Sequence, residues 1–216
     1  MTTVGVVGGT GPAGRGVAVR LASAGYDVTI GSRDEIRARD AVAGLVPHGA
    51  GVISGATNER AAECDLVVLA TPWDSAVQTA QSLRKSLHGK IVISMVNALV
   101  REGKELVPLY PPRGSMAAQL AFALPESQIV GAFHHLPASE MEDLESGLDA
   151  DVMVFSDHES SRAAVVAMVN EMPGLRGVEA GSMSLASAVE AFTAVCISIN
   201  IRHRAHTYVK LAGLND

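Results

Sequence analysis

The stretch that most constrains this chain is Val4-Gly5-Val6-Val7-Gly8-Gly9-Thr10-Gly11-Pro12-Ala13-Gly14. Its Val-rich start reads as a strand buried on both faces, the pattern of a parallel sheet. Downstream, Val17-Ala18-Val19-Arg20-Leu21-Ala22 has helical spacing. It predicts a helix from about Arg15 to Ala24, with Gly25 as its stop. Between strand and helix lies Gly9-x-Gly11-x-x-Gly14, and each glycine has a physical reason. Gly9 permits the tight turn, Gly11 lets backbone approach a pyrophosphate, and Gly14 lets the helix pack closely. The helix N-terminus would then aim unpaired N–H groups and its positive dipole end at the phosphates. This context makes the glycines a dinucleotide-binding fingerprint. No Gly-Lys-Ser/Thr follows them, which sets aside a nucleoside-triphosphate loop.

The second strand, Tyr26 to Ile30, runs into Gly31-Ser32-Arg33-Asp34. An NAD site places a carboxylate here to read the ribose 2′-hydroxyl. Here a guanidinium stands instead, and Arg37 follows one helical turn on, able to face the same pocket. With the hydroxyl of Ser32, these residues suit a 2′-phosphate, because arginine matches phosphate oxygens in a bidentate fork. NADP is therefore expected over NAD. Asp34, one position past Arg33, is placed to cap the next helix.

Further along, Gly51–Gly55 and Asp65–Ala70 read as the third and fourth strands, with a short helix from Asn58 to Cys64 between them. The fourth strand leads into Thr71-Pro72-Trp73, at the carboxyl end where a doubly wound sheet holds its ligand. Trp73, which opens a helix to about Leu83, is either a wall beside the cofactor or a surface ring covering the core. Lys90–Ser94 is the fifth strand. The Pro-rich stretch from Asn97 to Gly114 reads as irregular, of the kind that forms lids. Ser115–Ala123 reads as a helix and Gln128–Phe133 as a sixth strand ending in His134-His135. Strand alternation would let one of these histidines face the crevice. A strand at Asp151–Phe155, a helix at Ser161–Met172 and a last strand at Arg176–Ala180 follow. Ser184–Asn200 is a long apolar helix that must be buried on most sides. A second subunit would supply the missing cover, so a homodimer through Leu185–Ile201 is expected.

Composition narrows the partners. With 17 basic and 23 acidic residues the net charge is -6, which argues against nucleic acid or an anionic membrane. The Leu185–Ile201 stretch, broken by Glu190, reads as too polar to span a membrane. Cys64 and Cys196 lack metal or redox spacing and fit a reducing cytoplasm. No basic, apolar secretory leader opens the sequence. His203 and His206 sit three apart but no third ligand accompanies them, so no metal is expected. A Gly-x-Ser-x-Gly nucleophile elbow is missing, and no acid–base pair stands out. Hydride transfer between coenzymes has that character, since it needs orientation more than proton traffic.

Five pieces together carry a family resemblance: Gly8-Gly9-Thr10-Gly11-x-x-Gly14-x-Gly16, Gly31-Ser32-Arg33 with Arg37, Thr71-Pro72-Trp73, His134-x-Leu136-Pro137-Ala138, and Glu190-x-x-Thr193. Over almost its whole length the chain resembles the NADPH-dependent coenzyme F420 reductases. It departs from that pattern at Ala191, where relatives carry serine, and at Ser94-Met95-Val96-Asn97, where they carry prolines. The resemblance implies hydride transfer between nicotinamide C4 and C5 of the 8-hydroxy-5-deazaflavin, with NADP(H) and coenzyme F420 as the redox pair. It implies an α/β Rossmann-type doubly wound parallel sheet over 1–150. A small, mainly helical C-terminal domain over 151–216 would complete the deazaflavin pocket and the dimer interface. By position, Gly9, Thr10, Gly11, Pro12, Ala13 and Gly14 would serve the pyrophosphate, and Ser32, Arg33 and Arg37 the 2′-phosphate. Thr71, Pro72, Trp73, Val77 and Ala138 would line the nicotinamide half, with His134 and Thr193 in the deazaflavin pocket and His134 orienting the acceptor. Two other readings stand beside this one. One is a reductase of the same fold acting on ferric ion, free flavin or a small imine; the other is a non-catalytic NADP sensor.

Overall fold

A computed structural model of the chain describes residues 2–103 and 105–214. In order, the elements are β1 (Thr3–Val7), α1 (Pro12–Ser23), β2 (Asp27–Ser32), α2 (Glu35–Val42), β3 (Ile53–Thr57), α3 (Asn58–Ala62), β4 (Leu66–Leu69) and α4 (Trp73–Ser82). There follow α5 (Arg84–Leu87), β5 (Ile91–Ser94), β6 (Leu99–Glu102), β7 (Glu105–Pro108), α6 (Met116–Ala123), β8 (Gln128–Gly131) and α7 (Ala138–Glu142). The chain then forms β9 (Ala150–Phe155), α8 (Glu159–Glu171), β10 (Leu175–Gly181), a 3₁₀ turn (Met183–Leu185) and α9 (Ala186–His203).

Eight strands form one sheet in the order β10-β9-β8-β5-β4-β1-β2-β3. Neighbours run parallel except β8 and β9, which meet antiparallel at Gly131 and Phe155. Successive side chains on a strand point to opposite faces, so each central strand feeds two cores. Val4, Val6, Ile30, Val68 and Ile93 pack with α1 and α8 on one face. Val7, Val67, Leu69 and Val92 pack with α3, α4, α6 and α9 on the other. The sheet is thus covered on both sides, as a parallel sheet requires. Strand order reverses beside β1, with β2 on one flank and β4 on the other. That reversal opens the crevice at the strands' carboxyl ends.

Several boundaries differ from the sequence reading. Helix α1 begins at Pro12, three residues before Arg15, because proline at the first helical position has its φ preset and lacks an N–H the helix would leave unpaired. Strand β2 runs on to Ser32, and β3 is displaced to Ile53–Thr57, where it pairs with β2 from Val28 to Ser32. The stretch 97–114 is not irregular throughout. It carries an antiparallel hairpin, β6 with β7, in register from Leu99↔Pro108 to Glu102↔Glu105. Proline is tolerated there because it sits at the end of an edge strand. The hairpin packs against α9. Strands β9 and β10 continue the same sheet beyond β8.

Helix α9 also differs. With the turn before it, 183–203 contains an 18-residue window of mean hydropathy 1.6, long and apolar enough to cross a membrane by length and composition. The reading of it as too polar is therefore corrected: Glu190 and Thr193 are outweighed by the aliphatic residues around them. In the fold the helix is only partly covered. Ala186, Val189, Glu190, Thr193, Ala194 and Cys196 face inward, whereas Phe192, Val195 and Ile199 are more than two-fifths exposed.

Candidate active site

The turn from β1 to α1 is built by its glycines and by one residue from α3. Gly8 has φ +70°, and its N–H donates to Asn58 Oδ1 at 3.0 Å. Gly9 N–H is shared between the carbonyls of Val6 and Gly31. A methyl on Gly14 would lie 2.5 Å from Gly9 Cα, so the helix can sit this close only with glycine there. Over Gly11 a methyl would meet nothing within 4 Å. Helices α2, α3 and α6 are capped by the side chains of Asp34, Thr57 and Ser115. Helix α1 has no side-chain cap and no acid in its first turn. Among the described residues its leading N–H groups have no side-chain acceptor, and they lie above open space at Gly11, in the arrangement that binds anions.

Around this turn lies a cleft of about 630 Å³. Thr10, Gly11 and Ala13 form its floor. Ser32, Arg33 and Arg37 stand at one end, and Thr71, Pro72 and Trp73 form a wall. Arg33 and Arg37 are exposed, and neither guanidinium has a hydrogen bond or ion pair among the described residues. Asp34 also borders the cleft, but its carboxylate accepts from the N–H groups of Ile36 and Arg37 as the α2 cap. Buried Ser32 accepts at Oγ from Asp34 N–H. Thr71 Oγ1 is buried with no partner among the described residues. Trp73, left open by the sequence, stands on the cleft wall and is 38% exposed. Asn58, which the sequence reading did not single out, lines the same space. Not every expected residue reaches it. Gly9 and Gly14 pack behind the floor, and Pro12 is exposed at the helix start. Val77 packs against the core around Ala76 and Ala80, because it lies on the sheet-facing side of α4.

A second hollow of about 430 Å³ continues from the first, and Ala13, Met95 and Asn97 line both. Its other walls are Phe133–Ser139, Thr193, Cys196 and Ile197 on α9, and the tail residues His206 and Thr207. The expectation that one histidine faces the crevice is corrected here. Strand β8 stops at Gly131, and Phe133 takes φ +66°, so alternation no longer governs the two residues that follow. Both histidines line the hollow. A bulky residue in the left-handed region is strained, and such strain gathers at functional sites.

The two histidines differ in their surroundings. His134 stacks on Phe155 with ring centroids 5.5 Å apart. Neither of its ring nitrogens has a partner among the described residues. Burial, assisted by the neighbouring His135, pushes its pKa down to about 3, so the ring is neutral at ordinary pH. His135 is tied, its Nε2 donating to Val189 O at 2.6 Å. Burial lowers its pKa too, partly offset by that bond. Thr193 Oγ1 lies 3.2 Å from both His134 O and Asn97 Oδ1, while Asn97 Nδ2 donates to His134 O. Glu190, 5% exposed, accepts from the N–H groups of Met116 and Ala117 at 2.7 and 2.9 Å. It thereby joins α9 to the N-terminus of α6. Burial raises its pKa to about 7 against the two N–H bonds, which lower it.

The chain is similar to several known proteins. The profile of the family described as "NADP oxidoreductase coenzyme F420-dependent" matches residues 3–98. The chain is 31% identical to a protein named F420-dependent NADP reductase from Methanocaldococcus jannaschii, over 98% of each. It is 32% identical to one of the same name from Methanothermobacter thermautotrophicus, over 98% of this chain and 93% of the relative. A crystal structure from Arthrobacter sp. FB24 shares the fold, with a TM-score of 0.79 at 24% identity over 96% of this chain and 97% of that one.

Proposed function

The chain belongs to the family of F420-dependent NADP reductases, and we propose that it transfers a hydride between NADP(H) and coenzyme F420 along this two-part cleft. One observation carries the assignment of the two halves. Among the described residues, an uncapped helix start and two unpaired guanidinia stand at one end, a buried histidine without a partner stands at the other, and three residues line both. When bound, the coenzymes supply the donor and acceptor carbons, nicotinamide C4 and deazaflavin C5.

The chain's own residues supply place and orientation. Thr10, Gly11, Ala13 and the first turn of α1 would hold the pyrophosphate through backbone N–H groups. Ser32, Arg33 and Arg37 would hold the 2′-phosphate. Thr71, Pro72, Trp73 and Ala138 would confine the nicotinamide. His134, neutral and with both nitrogens unpaired, would orient the acceptor by hydrogen bonding. Thr193 would shape the same pocket, its hydroxyl directed at Asn97 and His134 O. Reduction of the acceptor also consumes one proton, which would come from solvent because His134 is neutral and no acid–base pair among the described residues faces the hollow. Holding two rings in a near-attack arrangement would therefore be the main task of the chain.

Residues 1–150 would form the NADP-binding unit. Residues 151–216 would complete the deazaflavin pocket and the dimer interface, the exposed face of α9 meeting its copy. The free thiols of Cys64 and Cys196 suit a cytoplasmic protein that engages small coenzymes and neither nucleic acid nor membrane. Full-length relatives named for coenzyme F420 favour this acceptor over ferric ion, free flavin or an imine, and over a sensor role.

Mixing the protein with NADPH and coenzyme F420 should bleach the deazaflavin absorbance. Reduction of flavin or ferric ion without that bleaching would replace the reading with the broader reductase. Tight NADPH binding with no acceptor reduced would replace it with the sensor. Light scattering at micromolar concentration should give twice the chain mass.

A further inference from the structure

We infer that Asn97 is the residue that sets the relative position of the two halves of the cleft where the hydride crosses. The inference rests on the reading above. Three residues line both halves: Ala13, Met95 and Asn97. Ala13 and Met95 offer no strong hydrogen-bonding side chain. Asn97 offers a donor and an acceptor, and both are engaged. Its Nδ2 donates to His134 O at 3.2 Å, and its Oδ1 lies 3.2 Å from Thr193 Oγ1. Partners of opposite polarity fix which way the amide points.

These bonds join three segments far apart in sequence. Asn97 follows β5, His134 follows β8, and Thr193 lies in the middle of α9. The segment bearing Asn97 is itself anchored. Met95 N–H donates to Leu69 O, Val96 N–H to Ser94 Oγ, and Leu109 N–H to Ala98 O. A rigid peptide thus carries a side chain that spaces the acceptor wall from the floor shared with the donor half. Hydride transfer depends steeply on that spacing, because misplacing reacting atoms by about 1 Å costs on the order of a hundredfold in rate. Asn97 touches the reacting region through His134 and Thr193, so it is a positioning residue.

The test uses whole protein with NADPH, NADPH deuterated at C4, and coenzyme F420. Asn97→Asp keeps the size but sets a carboxylate oxygen against His134 O. It should slow single-turnover hydride transfer roughly ten- to a hundredfold, with kcat falling further than KM for either coenzyme rises. Transfer should become fully rate-limiting, so the deuterium effect on turnover should grow. NADPH affinity measured without acceptor should stay within about twofold, and the melting temperature should hold. Thr193→Val should act in the same direction, and the double variant should be little slower than the slower single, since both break one network. Thr193→Ser, which keeps the hydroxyl, should restore most of the rate. Asn97→Asp transferring hydride at the wild-type rate overturns the assignment. So does a loss confined to NADPH affinity, or additive effects in the double variant. Wild-type protein inert toward coenzyme F420 overturns the underlying reading, and this proposal with it.

Discussion

At the β1–α1 end of the cleft, the chain meets its ligand with backbone N–H groups and two exposed guanidinia that no described residue engages. At the β8–α9 end, its polar side chains are mostly buried and, apart from the ring of His134, bonded within the protein: His135 to the Val189 carbonyl, the Thr193 hydroxyl shared between Asn97 Oδ1 and His134 O, and, beside the hollow, Glu190 to two N–H groups of α6. The first half is suited to recognising charge, and solvent and salt reach it. The second half is suited to holding a shape, and its buried groups His134, His135 and Thr193 are screened less by salt. Charge recognition asks for flexible cations near water. Shape asks for hydrogen bonds that no solvent competes with.

The largest effect expected from this contrast is on stability and belongs to the buried half. Glu190 has its pKa raised from 4.5 to about 7, first by burial. The folded chain therefore keeps a proton that the unfolded chain releases near its ordinary pKa. Stability from this group is fully present below about pH 4.5 and is lost as pH rises through about 7, a change of roughly 3 kcal/mol. The difference in unfolding free energy between wild type and Glu190→Gln should change by about that much over this window. Parallel denaturation curves would break the claim that a buried acid holds this half together.

Next comes the charge-reading half. A charge-assisted hydrogen bond contributes about 1.5–3 kcal/mol, so Arg33→Ala should weaken NADPH binding roughly ten- to a hundredfold. NADH binding should change little, because it carries no phosphate for the guanidinium. Arg37→Ala should act likewise but less, and NADPH selectivity should fall as salt rises. Titrations of both coenzymes at two ionic strengths check this. Equal loss for NADH would make Arg33 a residue of the helix start.

The smallest expected effect sharpens the contrast. His134→Ala removes one neutral hydrogen-bonding group and should slow reduction of the acceptor by about tenfold, with NADPH affinity nearly intact. With its pKa near 3, His134 should add no titration to the rate between about pH 5 and pH 9. Turnover lost entirely and rescued by imidazole would point to proton transfer instead.

Local chemistry made the charge-reading half legible in the sequence. The glycine turn spans six positions, Ser32, Arg33 and Arg37 fall within six more, and their roles follow from backbone geometry and formal charge. The parallel sheet was legible for the same reason, through valine-rich runs that must be buried on both faces. In the other half, the tertiary structure decided what spacing could not express. A left-handed turn at Phe133 brought both histidines to one hollow. Asn97, in a stretch read as irregular, became a bridge to Thr193 across 96 positions. Glu190, legible as part of a short motif, is the clamp on an α6 terminus 73 and 74 positions away. An acid in an apolar helix and an asparagine just past a central strand were visible signals, but neither named its partner. Such partners are set where strands end and helices cross, by packing between segments that share no local periodicity.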